Sequence, residues 1–108
     1  MSERLLTVSD SLQFLAVSAE EAAQARAERM YLEQYRKTKK AILMKENASL
    51  PLGAQEREAY ADPEYLKVLE GLKAAVFADA KMQFMREAAS AKIEAWRTQE
   101  ATKRSGKI

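Results

Sequence analysis

Helix-breaking residues are few in this chain. It has two prolines, Pro51 and Pro63, and three glycines, Gly53, Gly71 and Gly106, in 108 residues. The rest is dominated by Ala, Glu, Lys, Arg, Leu, Gln and Met, which lose little on entering a helix. Such a chain has no route to an extended sheet, so the fold class is all-α.

Two long amphipathic helices are expected, with a short helix or loop between them. Ser18 and Glu21 stand three residues apart, the spacing of a capping box, and start a helix over about 19–46. Asn47 to Gly53 reads as a loop. Residues 54–61 have room for two helical turns. Asp62-Pro63 then restarts the chain: Asp62 is a cap, and Pro63 suits a first helical position, where its missing N–H would be unpaired anyway. The second long helix should cover about 63–102, with Gly71 a mild internal weakness and 103–108 a frayed basic tail. Residues 1–17 form a short N-terminal segment in which Ser9 or Asp10 can cap a helix carrying Leu12, Phe14 and Leu15. The chain is read as a single helical domain, 1–108.

Periodicity suggests which faces are buried. Tyr31, Tyr35, Thr38 and Ile42 share a stripe on the first long helix, and Leu66, Leu69, Leu72, Val76 and Ala80 share one on the second. The latter drifts into Met82, Met85, Ala89, Ile93 and Trp96. Tyr65, Leu69, Leu72, Val76, Met85, Ile93 and Trp96 are thus the expected core or oligomer-packing residues, with the methionines filling gaps. Helices of about 28 and 40 residues are roughly 42 and 60 Å long. Their stripes need more apolar surface than each offers the other, so a homo-oligomeric helical assembly, of coiled-coil type or as a bundle or ring, is expected.

The chain has no Cys and no His. That rules out disulfides, thiolate or imidazole zinc sites, and Cys–His or Ser–His nucleophile pairs. A site built from carboxylates alone stays formally open, yet no metal, cofactor or small-molecule substrate is expected. The carboxylates Glu56, Glu58, Asp62 and Glu64 resemble an acidic pair only superficially, since Asp62 is already a cap, and an enzyme is not expected. No apolar run approaches the roughly 18–20 residues that span a bilayer, and Met1 to Leu6 lack the apolar stretch of a secretion signal. The missing cysteines fit a cytoplasmic protein.

Charge is segregated. Residues 26–45 carry seven Lys/Arg against Glu28 and Glu33, a net +5, while 54–80 are net −3 and 81–108 net +4. The densest run is Arg36, Lys37, Lys39 and Lys40, with Tyr35 before it and Lys45 after it. Cations neutralise phosphates and tyrosine rings stack on unpaired bases, so these six residues are the candidate nucleic-acid site. A second basic patch, Lys92, Arg97, Lys103 and Arg104, surrounds Trp96, which is expected to pack beside Ile93 and Met85. The alternative for both patches is a set of solvated helix faces.

The order of these segments carries a resemblance. A basic helix from Tyr31 to Lys45 leads to a loop, then to the acidic segment Glu56–Tyr65 and to Leu66–Lys73, and the chain closes with Ala88–Thr98 and a basic tail. This layout resembles the small phage-encoded helical recombination mediators, the UvsY-like proteins of T-even phages, over roughly residues 26–102. Residues 1–25 have no counterpart in it. The resemblance implies an all-α oligomer in the host bacterial cytoplasm that binds single-stranded DNA and helps load a recombinase in place of single-strand-binding protein. Arg36, Lys37, Lys39 and Lys40 would be its DNA contacts, and Tyr65, Leu69, Ile93 and Trp96 structural. The competing expectation is a phage-encoded protein-interaction module, an inhibitor of a host defence complex or a scaffold, that binds no nucleic acid.

Overall fold

A computed structural model describes residues 7–106. It contains four helices in chain order, α1 (Val8–Val17), α2 (Ala19–Glu46), α3 (Leu52–Ala61) and α4 (Pro63–Arg104), with no strand among the described residues. No helix among them is long and apolar enough to cross a membrane. The fold is all-α, and both long helices begin where the sequence signals put them. The secretion-signal question at 1–6 and the end of the tail, 107–108, lie outside the described residues.

Local chemistry sets each boundary. Thr7 caps α1: its hydroxyl oxygen accepts from the Asp10 backbone N–H at 3.0 Å, which leaves Ser9 and Asp10 inside the first turn. Ser18 links α1 to α2 with φ −90° and ψ −2°. An N-cap normally has extended backbone, so this near-helical geometry does not form the expected capping box. The α2 end is closed by Asn47, whose side-chain amide donates to the Leu43 carbonyl at 3.0 Å. Gln55 ties down the following loop by donating to the Leu50 carbonyl at 2.8 Å. Asp62 does cap α4, accepting from the Glu64 N–H at 2.8 Å, with Pro63 at the first helical position. The last helix runs to Arg104; after it Gly106 takes the left-handed conformation, φ 74°, and its N–H donates to the Lys103 carbonyl at 3.0 Å.

The chain divides into two compact units. Gln24–Asp79 contains most of α2, all of α3 and the first turns of α4. Its core is Leu43, Ala59 and Tyr65, one residue from each helix, with Met44 packed against them. Leu43 near one end of α2 meets the start of α4, while Arg29 bonds Asp79 further along. The two segments are therefore antiparallel. Buried and half-buried residues recur on α2 at Ala25, Arg29, Leu32, Arg36, Lys39 and Leu43, and on α4 at Tyr65, Val68, Leu72, Ala75 and Asp79. These alternating three- and four-residue steps are a heptad seam.

This seam differs from the apolar stripes expected from periodicity. Tyr31 and Ile42 are exposed, as are Leu66, Leu69 and Val76, although Leu72 does face inward. The aliphatic stems of Arg29, Arg36 and Lys39 line the seam in their place; Arg29 delivers its charge to Asp79 and Lys39 to Glu64. Asp79, 6% exposed, is held by Arg29 Nε at 2.5 Å and Arg26 Nε at 3.5 Å. A buried carboxylate is tolerable only with such partners.

The second unit joins the chain up to Ala23 with the part of α4 from Ala80 on. Its buried residues are small: Ser11, Ser18 and Ala89. Arg86 clamps the end of α1, donating through Nη1 to the Leu15 carbonyl at 2.9 Å and to Ser18 Oγ at 2.7 Å. The guanidinium satisfies a helix-terminal carbonyl with charge of the favourable sign.

Candidate nucleic-acid interface

The basic stretch lies on α2, where a turn of roughly 100° per residue distributes it around the helix. Arg36 and Lys39 fall on the seam, and Lys40 lies at its edge. Lys39 Nζ donates to Glu64 Oε1 at 2.7 Å, with only 15% of its side chain exposed. That bond raises the Lys39 pKa above its ordinary value despite the opposing effect of desolvation, and it lowers the pKa of Glu64. Lys40 sits 4.5 Å from the centroid of the Tyr60 ring and donates to Glu56 Oε2 at 3.1 Å. Tyr60 first and Glu56 second raise its pKa. Arg36 is half-buried, and its buried Nε–H has no acceptor.

The outer face of α2 is different. Lys37 and Lys45 are exposed and make no ion pair among the described residues. On the same helix Tyr31 and Tyr35 stack with ring centroids 5.9 Å apart and planes 10° from parallel. Tyr31 is 62% exposed and Tyr35 half-buried, so one ring of the stack is open to a further planar group. Of the six sequence-derived candidates, Tyr35, Lys37 and Lys45 thus border the open face, while Arg36, Lys39 and Lys40 turn toward the other helices of their unit. Tyr31 joins the site through its exposure, which the stripe reading had assigned in part to the core.

The second patch lies near the end of α4. Arg97 pairs with Glu94 at 2.8 Å and Lys103 with Glu100 at 3.4 Å. Lys92 is half-buried and Arg104 exposed. Trp96 is 45% exposed and lines a shallow hollow bounded by side chains of α4 alone, among them Glu94 and Glu100. This mixture of signs gives no concentrated positive field. Of the expected packing residues, Tyr65 is buried, and Leu72, Met85 and Ile93 are half-buried. Leu69, Val76 and Trp96 are exposed on the single chain.

The buried Asp79 of one unit and the half-buried Arg86 of the other escaped the sequence reading because neither is apolar. Their seven-residue separation, in phase with Tyr65 and Leu72, is the signal that would have found them. Among the described residues, no three carboxylates gather in a way that could hold a metal ion. Comparison with protein-family models, curated proteins and solved structures finds no match to this chain.

Proposed function

We propose that this chain is a single-stranded-DNA-binding accessory protein of the recombination-mediator kind, contacting the strand through the outer face of α2. The observation that carries this reading is the Tyr31–Tyr35 stack, open to solvent on its Tyr31 side, on the same helix as the exposed and unpaired Lys37 and Lys45. An aromatic platform and unpaired cations are the two ingredients of sequence-tolerant single-strand binding: rings take bases, and ammonium groups take phosphates. Loading of a recombinase in place of single-strand-binding protein follows from the family resemblance alone.

Labelled single-stranded oligonucleotide, followed by fluorescence anisotropy at several salt concentrations, tests the binding step. Affinity should fall steeply with salt, each neutralised phosphate adding about 0.7 to the log–log slope. Base composition should matter little, because every base has a π-face. An unchanged anisotropy at low salt would eliminate the proposal.

A second reading, a protein-interaction module without nucleic-acid binding, is favoured by a separate observation. Large apolar side chains are exposed on all four helices, among them Leu12, Val17, Met30, Leu52, Phe77 and Phe84. Scattered apolar residues are ordinary on a protein surface, but contiguous ones mark contact sites.

A further inference from the structure

One apolar face of α4 has a charge pattern that identifies its own partner. Leu66, Glu70, Lys73 and Phe77 follow one another at steps of four, three and four, so they share one side of the helix over roughly 16 Å. They lie about 100° around the helix from the seam positions Tyr65 and Leu72, clear of the antiparallel contact with α2. Leu66 is 50% and Phe77 68% exposed, and Leu69 and Val76 widen the patch on the seam side. Glu70 and Lys73 are exposed and have no ion pair among the described residues.

The order apolar, acidic, basic, apolar is its own complement when reversed. We propose that this face binds a second copy of the chain, the two α4 helices crossing antiparallel about a two-fold axis between Glu70 and Lys73. Leu66 of each copy then meets Phe77 of the other, and Glu70 of each meets Lys73 of the other. Both apolar ends are covered and both unsatisfied charges find a partner, as an isologous contact requires. A parallel pairing in the same register sets Glu70 against Glu70 and Lys73 against Lys73, and is disfavoured by like charge. A polyanion gains nothing from a face whose two charges cancel. This contact does not depend on nucleic-acid binding by α2.

Charge reversal tests the register. Sedimentation velocity over a concentration series should show a wild-type dimer. Glu70→Lys and Lys73→Glu each place two like-charge pairs in the contact, and each should weaken dimerisation at least tenfold. An equimolar mixture of the two variants should recover the dimer, since one copy then offers two lysines to the other's two glutamates. The double variant E70K/K73E should also dimerise. Helicity by circular dichroism should be unchanged throughout, as both positions are exposed. A monomeric wild type, or single variants that assemble as well as the wild type, would overturn the proposal. So would a mixture no more associated than its components. Oligonucleotide binding measured on the same variants separates failure of this contact from failure of the nucleic-acid reading.

Discussion

Leu43→Ala is expected to be among the most damaging single substitutions in the chain. Leu43 is 1% exposed and stands where α2, α3 and α4 meet, against Ala59, Tyr65 and Met44. Truncating a buried leucine removes its transfer free energy and leaves a cavity, together about 2–5 kcal/mol. Domains of this size have total stabilities of about 5–15 kcal/mol, so the loss is a large fraction of the whole. At roughly 4–8 °C per kcal/mol the melting temperature should fall by about 10 °C or more. Thermal denaturation followed by circular dichroism measures this directly. Leu52→Ala is the control: Leu52 is 71% exposed, and the change should stay within about 0.5 kcal/mol. Equal effects at the two positions would show that the three-helix junction is not the core of its unit.

The largest effect on binding is expected from combining Tyr31→Ala, Lys37→Ala and Lys45→Ala. Stacking contributes about 1–3 kcal/mol per base, and removal of Tyr31 leaves the half-buried Tyr35 without its open neighbour. Loss of two lysines should also reduce the log–log salt slope by roughly 1.4 if each holds one phosphate. The joint loss of affinity should be about a hundredfold or more, at about 1.4 kcal/mol per factor of ten. Because all three side chains lie at the surface or its edge and alanine favours helix, the melting temperature should hardly move. An affinity within twofold of wild type, measured by anisotropy, would remove this face of α2 from the site.

Element boundaries were legible in the sequence because the chain marks them with residues of unambiguous chemistry. Pro63 has one favourable helical position, and Asp62 before it has one obvious task, so the start of α4 could be read directly. Ser18 was less transparent. Its spacing to Glu21 fits a capping box, but its hydroxyl lies under Arg86, a residue 68 positions away. Tertiary partners of this kind leave no local trace.

Faces were harder than boundaries. On α2, apolarity alone selects Tyr31 and Ile42, whereas Arg29, Arg36 and Lys39 share the seam with Leu32 and Leu43. A long cationic side chain can bury its methylenes and still deliver its charge to Asp79 or Glu64, so it counts as polar in a sequence pattern and as half apolar in the fold. The same pairing divides the basic cluster. Four adjacent cations look equivalent in the sequence, and only the positions of Glu56 and Glu64 on other helices distinguish Lys39 and Lys40 from Lys37.

That division is the central claim, and two paired variants test it most directly. Single-stranded oligonucleotide titrations should be run on Lys37→Ala/Lys45→Ala and on Lys39→Ala/Lys40→Ala, with thermal denaturation of both. The outer pair should lose roughly tenfold or more in affinity, about 1.4 kcal/mol, with an unchanged melting temperature. The inner pair should melt at lower temperature, having lost its contacts to Glu64, Glu56 and Tyr60, and keep its affinity within a few-fold. The reverse outcome, with binding lost in the inner pair and stability unaffected, would contradict the account.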